Sequence, residues 1–155
     1  MDIKGDFSVN APAEVCFNYL NSVQNISKVI PGLEEATFLS DTSFDSVVVQ
    51  SVGMFKVKFK GITTIVEAVP YTLIKTKTKG IDTLTKTRIE CDLTLEIAPE
   101  SADSTKFSYT LAVNLVGKLA VLGEVVVRVK AKELAKDCVK GVTDVIMATA
   151  KEQAV

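Results

Sequence analysis

The sequence predicts an α+β chain with a helix-grip architecture: a curved antiparallel sheet of six or seven strands wrapped around a long C-terminal helix, with two short helices near the N-terminus. Three observations predict it. From residue 33 to residue 115 apolar residues recur with a period of two, with no helical pattern between the repeats. The last third repeats instead at helical spacing. Between them and the N-terminus lie two short helical patterns, closed by Pro31-Gly32.

Residues 2–9 read as the first strand, with Ile3, Phe7 and Val9 as its apolar members. Asn10-Ala11-Pro12-Ala13-Glu14 marks a helix start, because proline suits a first turn and a carboxylate suits the positive end of the helix dipole. Val15, Cys16, Tyr19 and Leu20 form its stripe. A second helix over 22–29 has Ser22 as its cap and Val23, Ile26, Val29 and Ile30 on one face.

The strands then alternate. Phe55, Val57 and Phe59 oppose Lys56, Lys58 and Lys60; Ile74, Thr76 and Thr78 oppose Lys75, Lys77 and Lys79. Thr87, Ile89, Cys91, Leu93, Leu95 and Ile97 oppose a charged row that includes Lys86, Arg88 and Glu90. Phe107, Tyr109, Leu111, Val113 and Leu115 close the series. Such alternation describes an antiparallel sheet with one wet and one apolar face. Turns are expected at Gly53, at Val69-Pro70, at Gly80-Ile81-Asp82 and over 99–104.

A meander needs a cover for its apolar face. The stripe Leu119, Leu122, Val126, Val129, Leu134, Cys138, Val142, Val145 and Ile146 supplies one. It predicts one amphipathic helix of about 30 residues, or about 45 Å, lying across the concave side.

At 155 residues the chain fits a single domain spanning 1–155. A net charge of −1 gives no field to hold nucleic acid. The chain lacks histidine, which removes His-dependent triads and His-containing zinc sites. Cys16, Cys91 and Cys138 have neither metal-ligand nor redox spacing and read as small core hydrophobes. No metal and no cofactor is expected. Neither a signal peptide nor an apolar run long enough to span a membrane is recognised, so a soluble, cytoplasmic protein is expected.

A twisted sheet around a cylinder about 10 Å wide packs closely along the middle of the helix and diverges toward one end. The space left is apolar and concave, as small-molecule sites are. Alternation predicts its lining as Phe55, Val57, Phe59, Thr76, Thr87, Ile89, Cys91, Tyr109, Leu111, Leu119, Leu122 and Val126, under a lid at Ile30, Pro31 and Gly32. Side chains that simply fill the space are the competing reading, since alternation sets faces and not voids. Inward hydroxyls at Thr76, Thr78, Thr85, Thr87 and Tyr109 would then need protein partners. Glu14, Glu67 and Glu90 are the candidate acids, of which Glu67, near a strand end, is the most interesting. No pair has acid/base geometry, so no catalytic residue is assigned. The lysine rows form a basic stripe on the convex face, read as a solvated face or a dock for an acidic protein.

The chain resembles the G-subunit family of carbon monoxide dehydrogenase, a START-like, polyketide-cyclase-like branch. The residues carrying the resemblance are Ala11-Pro12-Ala13-Glu14-Val15, Ile30-Pro31-Gly32, Val52-Gly53 with Phe59-Lys60-Gly61, and Val116-Gly117-Lys118-Leu119-Ala120-Val121-Leu122-Gly123. The resemblance implies a helix-grip fold with a hydrophobic cavity and noncatalytic binding of a lipid- or quinone-like molecule. It also implies association with an aerobic carbon monoxide dehydrogenase-type molybdenum hydroxylase complex and transient membrane contact. Many relatives continue into a membrane-spanning C-terminus, whereas this sequence ends at Val155. The alternative is a cyclase- or aromatase-like enzyme on an aromatic or polyketide-like substrate, with Glu67 at a position the family often keeps acidic.

Overall fold

The computed structural model describes residues 1–153. Strand β1 (Asp2–Val9) is followed by helices α1 (Ala13–Leu20) and α2 (Val23–Lys28). Six strands follow in meander: β2 (Leu33–Phe38), β3 (Ser43–Val52), β4 (Phe55–Val69), β5 (Leu73–Asp82), β6 (Arg88–Ser101) and β7 (Ser104–Val116). A 3-10 turn (Lys118–Leu122) leads into α3 (Glu124–Gln153). The sheet has seven antiparallel strands in the order β1-β7-β6-β5-β4-β3-β2, so the first strand pairs with the last. Ile3 lies opposite Leu111 and Phe7 opposite Phe107, whose rings stack at 4.8 Å.

The predicted faces hold along the central strands. Phe59 pairs with Val48 and Asp82, Thr76 with Ile65 and Leu93, and Leu111 with Leu93 and Ile3, all on the concave side. At the crossing of β4 and β5 that side is built from Gly61 opposite Gly80. A Cβ on either glycine would overlap the Phe59 ring and the facing backbone. Phe59 can therefore lie flat on the sheet only because both positions lack a side chain.

Three local readings are corrected. Gly80-Ile81-Asp82 is not a turn: β5 runs through Asp82, and the chain reverses over 83–87, where Lys86 takes φ 63°. Pro99 lies inside β6, which reaches Ser101 across a bulge between Pro99 and Ser101, so only 102–103 turn. The last helix is not continuous from Leu119. Gly123, at φ 87°, separates the 3-10 turn from α3, and the inward face restarts on Val127. Val129 is consequently exposed, off the stripe to which the sequence assigns it.

The packed core gathers at one pole. Cys16, Phe17 and Leu20 of α1 and Val23 of α2 pack with Phe44, Ile65, Ile74, Ile97 and Phe107 from the strand ends, and with Val142 and Ile146 from the second half of α3. Phe17 also meets Tyr71 of the β4–β5 turn edge-on at 5.7 Å. Thr105, fully buried, donates to the Ala11 carbonyl at 2.7 Å and ties β7 to the start of α1. Each large side chain buried here contributes about 1.5–3 kcal/mol. We call this the α1 pole. The opposite hairpin pole holds the β3–β4 hairpin, the 83–87 reversal, the 3-10 turn and the start of α3.

Candidate functional site

Burial falls along every central element as it leaves the α1 pole. On β6 the inward series passes from buried Ile97 and Leu95 to half-buried Leu93, Cys91 and Ile89. On β7 buried Phe107 gives way to half-buried Tyr109 and Leu111, and on β3 buried Phe44 and Ser46 give way to half-buried Val48, Gln50 and Val52. Along α3, read backwards, Ile146 and Val142 are buried while Cys138 and Leu134 are half-buried. The exceptions on the sheet are Ile3, Val57, Asp82 and Val113, all inward and buried.

Helix α3 approaches the sheet backbone on β1 and β3, near its two edges. Its second half also packs on the strands between, through Val142 and Ile146, whereas beneath its first half Ile89, Cys91 and Leu111 stay half-buried. Arg128 fixes one contact, donating to the Asp2 carbonyl at 2.9 Å. The surroundings of Cys91 and Cys138 agree. Burial pushes each thiol up to about 11, aided by the neighbouring charges of Asp92 and Asp137, yet neither side chain is fully covered.

The residues expected to line this region divide into three groups. Phe55, Phe59, Ile89, Cys91, Tyr109, Leu111 and Leu122 are half-buried. Val57, Thr76, Thr87 and Leu119 are buried in protein contacts. Val126 is exposed beside the hairpin, where a Cβ on Gly53 would lie 3.6 Å from its Cγ1. Tyr109 lies flat over Gly5, whose Cβ would collide with the phenol ring. Missing from the expected set are Val48, Gln50 and Val52 of β3 and Val113 of β7, all inward. The run Val47-Val48-Val49 and the inward polar Gln50 erase the alternation that reveals a strand's face.

The lid residues sit where β3 and α3 approach each other. Gln50 donates from Nε2 to the Pro31 carbonyl at 2.9 Å, the Val49 amide donates to the Gly32 carbonyl at 2.9 Å, and Gly141 of α3 faces Val29. Gly32 holds φ 79°, and a Cβ there would strike the Val49 carbonyl.

Most of the inward hydroxyls have protein partners. Thr78 pairs with Thr63 at 2.9 Å, and Thr85 with Thr87 at 2.8 Å. Thr87 accepts from the Leu119 amide at 2.9 Å, holding the 3-10 turn to the sheet. Beside it the fully buried Asp82 accepts from the amides of Lys58 (2.8 Å), Thr85 (2.9 Å) and Leu84 (3.3 Å), and from the Thr85 hydroxyl. Burial alone would raise this carboxyl; the four donors outweigh it and hold it below the usual carboxylate range. Asp82 therefore closes the β4–β5–β6 corner, with no lone pair directed at a ligand.

None of the candidate acids faces the concave side. A bulge between Ile65 and Glu67 shifts the register by one residue and turns Glu67 outward, where it pairs with Lys75 at 3.4 Å. Without that bulge strict alternation would aim Glu67 inward. Glu14 is exposed on the first turn of α1, and Glu90 is exposed in the outer charged row. Among the described residues no cluster of three Cys, Asp or Glu has metal-binding geometry. Among them, too, no helix is long and apolar enough to cross a membrane. Two open grooves lie elsewhere on the surface: about 520 Å³ among Pro12, Val15, Met147 and Ala150, and about 400 Å³ on the convex side over Lys4, Asp6, Thr94 and Ser108.

The family model for the G subunit of carbon monoxide dehydrogenase (CoxG) matches residues 5–147. The chain belongs to that family. No curated protein matches it. Among solved structures, a conserved protein from Geobacillus kaustophilus superposes with TM-score 0.86 at 18% identity, over 96% of this chain and 97% of that one. A START superfamily protein from Mycobacterium smegmatis gives 0.61 at 16% identity, over 92% and 97%. The crystal structure of Ara h 8.0201 gives 0.66 at 11% identity, over 96% and 98%. At these identities the likeness is one of fold, and the fold is the helix grip.

Proposed function

We propose that this member of the CoxG family holds an apolar small molecule, lipid- or quinone-like, between the concave sheet and the first half of α3, without transforming it. One observation carries the reading. Inward apolar side chains stay half-buried on both walls of the same region, Phe59, Ile89 and Leu111 on the sheet and Leu134 and Cys138 on the helix. Uncovered apolar surface costs about 25 cal/mol per Å², so an apolar guest that covers it gains that free energy on binding. With the Thr78, Thr85 and Thr87 hydroxyls already bonded to protein, shape and apolar contact would do most of the selection.

Ile30, Pro31 and Gly32 act as the lid in this reading. Membership of the CoxG family supports a role as accessory factor to an aerobic carbon monoxide dehydrogenase-type molybdenum enzyme. We place that role in the cytoplasm, with transient membrane contact. The enzymatic alternative loses its best residue, because Glu67 faces away and is ion-paired.

Native mass spectrometry of protein purified from cells, followed by titration with decylubiquinone, tests the reading. The expected result is a retained or saturable apolar guest, lost in both Phe59→Asp and Leu111→Asp. Protein that emerges empty and fails to bind the quinone contradicts it.

A further inference from the structure

The floor of the concave side carries hydroxyls that the fold does not use. Ser46 of β3 and Thr76 of β5 face inward at 4% and 8% exposure. Neither hydroxyl has a hydrogen-bond partner among the described residues, although buried hydroxyls are as a rule paired. The Tyr19 hydroxyl is the one side-chain group there that is both fully sealed and unpaired, so the oxygens of Ser46 and Thr76 keep some accessible surface. On the inner face of interior strands that surface opens onto the hollow. Thr63 and Thr78 stand between them, 2.9 Å apart. Two hydroxyls joined by one bond use one proton in it and leave the other free to donate.

These side chains lie together where the sealed core meets the half-buried lining. Thr76 is flanked by buried Ile65 on β4 and half-buried Leu93 on β6. Thr63 lies opposite Phe44 and Thr78, and Ser46 lies one row along, opposite Gly61. In that row the Phe59 ring rests on Gly61 and Gly80, an apolar plate beside the hydroxyls. No cation shares this floor, because Lys75, Lys77 and Lys79 alternate to the outer face. The inward carboxylate, Asp82, lies farther along β5 and is held by its own donors. An anionic head would therefore be buried without a counter-charge, at high cost, whereas a neutral oxygen would gain hydrogen bonds.

Given an apolar guest in the hollow, as proposed above, we propose that Ser46 and Thr76 determine which guest it is and which end enters first. With the Thr63–Thr78 pair between them, they take the uncharged, oxygen-bearing head of an amphiphile at the inner end, and its chain runs toward the hairpin pole.

Competition among decylubiquinone, decylbenzene and decanoate, followed by native mass spectrometry, tests this on the wild-type chain and on Thr76→Val, Ser46→Ala and the double variant. Wild type is expected to prefer decylubiquinone to both others. The ratio of decylubiquinone to decylbenzene affinity should fall about fivefold in each single variant and tenfold or more in the double one. The melting temperature of the empty variants should stay level or rise, because the hydroxyls they lose bond nothing in the fold. A ratio unchanged in the double variant would overturn the assignment and leave the apolar-guest reading standing. So would decanoate binding as tightly as decylubiquinone, or a double variant that melts well below wild type. Wild type that binds none of the three would overturn both.

Discussion

The two ends of the concave face are made of the same kinds of residue and differ in what covers them. At the α1 pole, Phe44, Ile74, Phe107 and Ile146 are sealed by two short helices and the second half of α3. Toward the hairpin pole, Phe59, Ile89, Leu111 and Leu134 have the same apolar character and remain half-buried. Hydrophobic content therefore does not decide whether part of a helix-grip sheet becomes core or binding site. What covers the sheet decides: α1, α2 and the second half of α3 close one end and leave the other half-covered.

Matched substitutions sharpen the contrast. Phe107→Ala, which removes a stacked and fully buried ring, should cost about 3–5 kcal/mol in urea denaturation. Leu111→Ala, farther along the same strand, should fall below about 2 kcal/mol, because its surroundings are not closed around it. Equal costs would erase the distinction.

The corner at Asp82 anchors the hairpin pole. Asp82→Asn should cost about 1–3 kcal/mol at neutral pH, since an amide cannot accept from four donors. A carboxyl held below its ordinary pKa contributes stability that is complete above the unfolded value, about 3.9, and is lost as pH falls through the folded value. The difference in stability between wild type and Asp82→Asn should therefore narrow as the pH drops below about 4. A difference that stays constant with pH would contradict the assignment.

Enlarging side chains works in the opposite sense to truncation. Val142→Phe at the closed end should cost about 1–3 kcal/mol by overpacking. Cys138→Phe, one helical turn earlier on the same face, should cost less than about 1 kcal/mol while blocking the guest. The smallest effect is chemical. With thiol pKa values raised to about 11, Cys91 and Cys138 are neutral at pH 8, so iodoacetamide should label them more slowly than a free cysteine. Labelling at the rate of an open thiol would place them in ordinary solvent.

Strand number, concave faces and the terminal helix were legible because period-two and period-3.6 patterns report which way a side chain points. Two departures share one cause, a single residue inserted or broken out of phase. The bulge before Glu67 reverses the end of β4, and the break at Gly123 moves the helix face from Val126 to Val127. Gly80 reads as a turn, whereas its lack of a side chain serves to admit the Phe59 ring. The inward side of β3 was hidden by three successive valines. How tightly the concave side is filled could not be read at all, because alternation records direction and not distance.

Methyl-resolved NMR of the chain titrated with decylubiquinone tests most directly where an apolar guest sits. Shifts confined to the methyl groups of Ile89, Leu93, Leu111 and Leu134, with Ile65, Ile74, Val142 and Ile146 unmoved, are predicted. Shifts centred on the second group, or none at saturating quinone, would contradict it.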